Sequence, residues 1–202
     1  MGLFKKASLK YDRPRDEAIS QVFKKGDTMT RLSFLVFGLG NIVNKQIVRG
    51  LIFLALEILY LIYMALFGIG FLGDFITLGT VEQGQVYNEA LGIYEYSLGD
   101  NSMLCLLYGV ITLVLTAAVI FLACMSGKSA YCTQVRKEKG QHIPGFKDDI
   151  RSLFEENLHA FLLALPIIGI LVFTIVPLVF MILIAFTSYD HEHQPPGALF
   201  SW

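Results

Sequence analysis

Three long apolar runs dominate the chain: Gly50–Leu72, Met103–Met125 and Ala160–Phe186. Each is much longer than a strand, and Glu57 is the one formal charge within them. A helix needs about 20 apolar residues to cross a roughly 30 Å hydrocarbon layer. The pattern therefore predicts an all-α membrane protein with three transmembrane helices, at 50–72, 103–125 and 158–187.

The stretches between the runs carry weaker patterns. In the basic segment 1–30, "PRDEAISQVFKK" (Pro14 to Lys25) has the marks of a short helix. Proline suits its first position, Asp16 and Glu17 face the positive end of the helix dipole, and Lys24 and Lys25 face the other end. Residues 31–49 are apolar but interrupted by Gly38, Gly40, Asn41, Asn44 and Lys45, which predicts an interfacial segment rather than a span. Residues 73–102 read as a solvated acidic loop, and 126–157 as a basic loop. The latter ends in "DDIRSLFEENLHAF", where Ile150, Leu153, Phe154 and Leu158 follow the spacing of an amphipathic helix. A tail, 188–202, closes the chain.

Composition agrees with a membrane setting. Of 202 residues, 54% are hydrophobic and 16% charged, against about 25% charged in a soluble domain. The net charge of −1 hides a strong asymmetry. Ten of the 16 Lys and Arg precede the first run and the other six lie between the second and third. The 73–102 loop has none and carries Asp74, Glu82, Glu89, Glu95 and Asp100. Basic residues in short loops stay on the cytoplasmic side. The expected topology has the N-terminus inside, 73–102 outside, 126–157 inside and the C-terminus outside. Lipid headgroups account for the basic arm, so no nucleic-acid partner is expected.

Several motif-like stretches lose their meaning in this setting. "GIGFLG", Gly68 to Gly73, spells the dinucleotide fingerprint, yet an apolar run precedes it where a short strand is required. "SGKS", Ser126 to Ser129, resembles a phosphate loop, but Leu122 stands where that loop needs glycine. Cys105, Cys124 and Cys132 show no paired spacing. His191 and His193 in "HEH" lack further metal ligands at a defined spacing. No nucleophile–base pair or paired-acid site appears, so the expectation is a chain that is not an enzyme and holds no cofactor or metal. Glu57 remains, read as a snorkelling or paired carboxylate, with contact to a transport path or partner helix as its functional rival.

The third run, "ALPIIGILVFTIVPLVFMILIAFTSYD" (Ala164 to Asp190), carries Pro166 and Pro177 eleven residues apart, nearly on one helix face. Each proline removes a backbone donor and crowds the carbonyl four residues back. A helix weakened twice is expected to pack against further protein. This stretch, with its proline pair and the ending "IAFTSYD" (Ile184 to Asp190), resembles the helix leading into the core of bacterial carbohydrate importers of the ATP-binding-cassette type. The larger membrane subunit of maltose/maltodextrin permeases is the nearest likeness, and "HQPPGALFSW" (His193 to Trp202) is similar to its following outer loop.

The resemblance implies import of a malto-oligosaccharide-like sugar. It also implies a second permease subunit, cytoplasmic ATPase subunits and an extracellular sugar-binding lipoprotein as partners, besides the bilayer. In that family the sugar site and the ATPase-coupling loop lie in later spans, so no substrate-binding residue transfers to this sequence. On this reading the chain is an N-terminal, truncated portion of a permease. The alternative is a self-standing membrane scaffold or regulatory protein; a metal hydrolase using His191 and His193 stands far behind.

Overall fold

A computed structural model describes residues 19–82, 84–97, 99–145, 147–148, 158–190 and 199–202. The readings placed on residues 1–18, on most of the 147–158 stretch and on His191 and His193 fall outside them. The described chain is mostly helical. Short helices α1 (Ile19–Lys25), α2 (Thr28–Leu32) and α3 (Leu39–Val43) lead into α4 (Ile47–Thr77). A hairpin of β1 (Gly84–Asn88) and β2 (Ile93–Ser97) follows, then α5 (Ser102–Glu138) and α6, residues 158–184. Three of these helices, α4, α5 and the Leu162–Ile184 part of α6, are long and apolar enough to cross a membrane.

The helices outrun the apolar runs that foretold them. Helix α4 continues through Gly68, Gly70 and Gly73 to Thr77, past the end of the first apolar run. Helix α5 continues through "SGKS" to Glu138, so residues 126–138 are not loop. Run length measures where a helix can meet lipid, whereas backbone hydrogen bonding lets it go on wherever something else receives its polar side chains.

Two of the long helices contain a wide turn. In α4, Ile69 N–H reaches the carbonyl of Met64, five residues back; in α6, Val176 N–H reaches Leu171. The second wide turn has a visible cause. Pro177 would crowd the carbonyl of Phe173 in a regular helix, and loosening Leu171–Ile175 relieves that conflict. One inserted residue turns everything downstream by about 100°. Pro166 and Pro177 are therefore about a quarter turn apart, and the expected shared face is lost.

The chain divides into two compact units: Met1–Ala55 with Leu122–Phe146, and Leu56–Phe121 with Lys147–Trp202. In the first, Asp27 caps α2 by accepting the Thr28 N–H, and the Arg31 guanidinium donates to the carbonyls of Lys24 and Gly26 at the end of α1. In the second, Leu78, Leu106 and Phe200 form a buried cluster, with Phe75, Met103, Phe180, Leu183 and Ile184 around it. The Trp202 indole N–H donates to the carbonyls of Phe75 and Ile76 at 3.1 and 3.0 Å. Those are among the last carbonyls of α4, which have no partner within the helix.

The hairpin stands where the acidic sequence 73–102 predicts a loop. Its turn is built by Asn88, whose side-chain oxygen accepts the N–H groups of Ala90 and Leu91. Gly92, at φ +64°, completes the reversal. At its base the Asp100 carboxylate accepts the N–H groups of Thr80 and Val81 at 2.8 and 3.0 Å, and the Asp100 N–H returns a bond to the Val81 carbonyl. The two N–H bonds, Thr80 first, hold the Asp100 carboxyl below its ordinary pKa of 3.8.

Candidate functional site

Two polar assemblies organise the described helices, one in each unit. In the first unit the segment from α2 to α4 packs on the later part of α5 through hydroxyl and amide groups. Gly38 N–H donates to Ser126 Oγ at 2.7 Å, and Ser126 Oγ donates to the Ser33 carbonyl. Gly40 N–H donates to Ser33 Oγ at 2.6 Å, Asn41 Nδ2 to Ser129 Oγ at 2.9 Å, and Thr133 Oγ1 to Gln46 Oε1 at 2.9 Å. Gln134 Oε1 accepts from Thr30 Oγ1 and from the Asp27 N–H. Thr30, Ser33, Asn41, Gln46, Ser126 and Thr133 are all buried.

Glycine makes this approach possible. Gly38 adopts φ +76°, a region where side chains are strained, and a Cβ there would lie 2.6 Å from the Gly50 Cα. Gly127 lies against the Phe34 ring with no room for a Cβ. The residues that seemed to spoil 31–49 as a membrane segment, Gly38, Gly40 and Asn41, are the ones that fit it to α5. One acceptor stays unmatched among the described residues: Asn41 Oδ1, fully buried.

In the second unit, α4 and α5 run antiparallel and are joined by two rungs. Tyr60 Oη meets Thr116 Oγ1 at 2.9 Å, and Tyr63 Oη meets Thr112 Oγ1 at 2.8 Å. Thr112 and Thr116 spend their single protons on the carbonyls of Tyr108 and Thr112. The tyrosines are therefore the donors. Above the rungs, Phe71 stacks on Tyr108 with centroids 4.9 Å apart, and Gly109 lets Phe75 lie directly on α5.

The residues singled out from sequence fall as follows. Glu57 is half-buried on α4, ten residues after the helix start at Ile47, or about 15 Å along it. Pro166 and Pro177 bracket the wide turn of α6, whose surroundings within the chain bury none of Leu162–Ile184. The structure brings none of the three together. Sequence reasoning missed the Tyr60, Tyr63, Thr112 and Thr116 rungs, though polar residues at i, i+3 and i, i+4 in two apolar runs are a usable signal. Among the described residues no three His, Cys, Asp or Glu side chains converge to hold a metal. What the geometry offers is helix-to-helix recognition inside a membrane.

Comparison with known proteins gives these helices a context. The maltodextrin transport system permease protein of Streptococcus pneumoniae is 30% identical over 181 residues, 89% of this chain. The chain is similar to a stretch of a carbohydrate-transport permease. The maltodextrin permease protein of Bacillus subtilis is 28% identical over 169 residues, and the galactooligosaccharides permease protein of the same organism 26% identical over 170, each covering 83% of this chain. The chain spans less than two-fifths of the length of these curated relatives: 38%, 35% and 37% respectively. No family model and no solved structure matches it. The permease likeness suits a multi-pass membrane protein whose polar contacts join helices.

Proposed function

We propose that the chain forms membrane helices of a permease subunit in a carbohydrate importer of the ATP-binding-cassette type. The observation that carries this reading is the likeness over 89% of the chain to a maltodextrin permease protein, on a chain with three helices able to span a membrane. The substrate is a malto-oligosaccharide or a related oligosaccharide, as the names of the relatives suggest. The chain does no covalent chemistry; its part is to hold helices in a translocation complex that alternates access. A second permease subunit, cytoplasmic ATPase subunits and an extracellular sugar-binding lipoprotein complete the importer. The N-terminus lies in the cytoplasm and 73–102 outside, because all 16 Lys and Arg then avoid crossing the bilayer. Helix α6, apolar on nearly every side and with no fully buried residue in Leu162–Ile184, supports packing against a neighbouring helix.

Uptake of radiolabelled maltodextrin and galacto-oligosaccharides, with and without the gene in its host, tests the proposal. Loss of uptake of one of them is the expected result, restored by the gene in trans. Unchanged uptake of both overturns it and favours a scaffold or regulatory role.

A further inference from the structure

Residues opposite one another in an antiparallel pair share a face of the hairpin. Gln85 faces Tyr96 and Tyr87 faces Tyr94, whereas Val86 faces Glu95 and Asn88 faces Ile93. One face thus holds three tyrosines and a glutamine amide; the other holds Val86, Ile93 and a carboxylate that accepts from Asn88 Nδ2 at 3.1 Å. Tyr87, Tyr94 and Tyr96 are 51%, 68% and 61% exposed, and the Tyr87 and Tyr94 rings lie 5.1 Å apart, tilted by 58°. A two-stranded hairpin is barely stable alone in water, so such a face gains from an occupant.

Charge narrows what that occupant is. From Gly50 to Gly127 the chain has no Lys or Arg, which leaves no counter-charge for a phosphate, nucleic acid or anionic headgroup. The tyrosine face itself carries no carboxylate, so a cation would find only ring faces there and no ion-pair partner. It offers flat apolar rings edged by hydroxyl groups and one amide that both donates and accepts. The matching ligand is neutral, with apolar C–H faces and hydroxyl rims: a pyranose chain. The geometry points to Gln85, Tyr87, Tyr94 and Tyr96 as an oligosaccharide-binding face on the hairpin. This assignment rests on the importer reading for its choice of sugar.

The test uses the full chain in lipid nanodiscs, maltotetraose as the probe and saturation-transfer NMR with irradiation of aromatic protons. Saturation is expected to reach the sugar C–H protons. Tyr87→Ala with Tyr94→Ala is expected to weaken binding about tenfold. Tyr87→Phe with Tyr94→Phe, which keeps the rings, and Val86→Ala with Ile93→Ala on the opposite face are expected to bind within about threefold of wild type, the scatter of a bond or two at an exposed site. No transfer in wild type, or undiminished transfer in the alanine pair, overturns the assignment. So does tyrosine fluorescence quenched by brominated lipid, which places the face in the bilayer surface, or a dimer that the alanine pair dissociates. Uptake that needs the gene together with a non-binding hairpin refutes this face alone. A hairpin that binds sugar in a chain dispensable for uptake refutes the importer reading alone.

Discussion

The packing of residues 28–50 on the later part of α5 and the surroundings of α6 are opposites. The first is polar, glycine-rich and buried; Ser33, Asn41, Ser126 and Thr133 have almost no exposed surface. The second is almost wholly apolar, and Leu162–Ile184 has no fully buried residue, with Phe180, Leu183 and Ile184 partly covered by the Leu78, Leu106 and Phe200 cluster. In a membrane, apolar surface is not by itself a reason for helices to meet, because lipid receives it equally well. Close backbone approach and hydrogen bonds are reasons. The polar seam is therefore a place where this chain folds tightly on itself, and most of α6 remains available to lipid or to another protein.

The sharpest way to break that contrast is to fill the closest approach. Gly38→Val adds a side chain against Gly50 at a φ of +76°. Overpacking costs about 1–3 kcal/mol, and a left-handed backbone about 1–2 kcal/mol more. The expected result is a loss of about 2–5 kcal/mol in reversible unfolding of the detergent-solubilised chain. Phe173→Ala on α6, where the ring is 82% exposed, is the matched control and is expected to change stability by less than about 0.5 kcal/mol. Equal losses from the two would erase the distinction.

The same contrast explains what could be read from the amino acids alone. Helix α6 was fully legible as a membrane helix because nothing but composition decides it, and Pro177 announced its irregularity. The wide turn that separates the Pro166 and Pro177 faces was not legible, since it depends on how the backbone settles the conflict with Phe173. The interruptions of the 31–49 segment are plain in the sequence, yet there Gly38 and Asn41 look like defects rather than fitted parts. Their meaning depends on Ser126 and Ser129, more than 80 residues away in sequence. The hairpin was legible in principle: Val86 and Tyr87, then Ile93 to Tyr96, alternate around an Asn-to-Gly turn, a signal that the acidic residues masked. Glu57 lies on the helix that the first apolar run foretells.

A smaller effect tests the rungs between α4 and α5. Tyr63→Phe removes the donor to Thr112 Oγ1 and leaves the threonine bonded to the Tyr108 carbonyl. Interhelical hydrogen bonds in membranes average about 0.6 kcal/mol and reach about 1.7 kcal/mol. A loss in that range is expected. A double-mutant cycle with Thr112→Val should return most of it as coupling, since the two changes remove one interaction. Zero coupling would mean that the hydroxyl groups do not meet in the membrane.

The smallest effect belongs to the base of the hairpin and depends on pH. The Thr80 and Val81 N–H groups favour the charged form of Asp100, so its folded pKa lies below 3.8 while the unfolded chain keeps the ordinary value. A carboxyl lowered by folding stabilises the fold in full above the ordinary value and loses that contribution as pH falls through the lowered one. Asp100 is partly open to solvent, which screens the effect and keeps it local to residues 79–81 and 99–100. Hydrogen exchange of the Thr80 and Val81 amides should therefore show protection at pH 6 that fades below pH 4, after correction for intrinsic rates. Asp100→Asn keeps an oxygen acceptor without the charge, and its protection should be lower at pH 6 and flat with acidification. Protection in the wild type that does not change between those pH values would mean that the carboxylate does not hold the two strands' feet together.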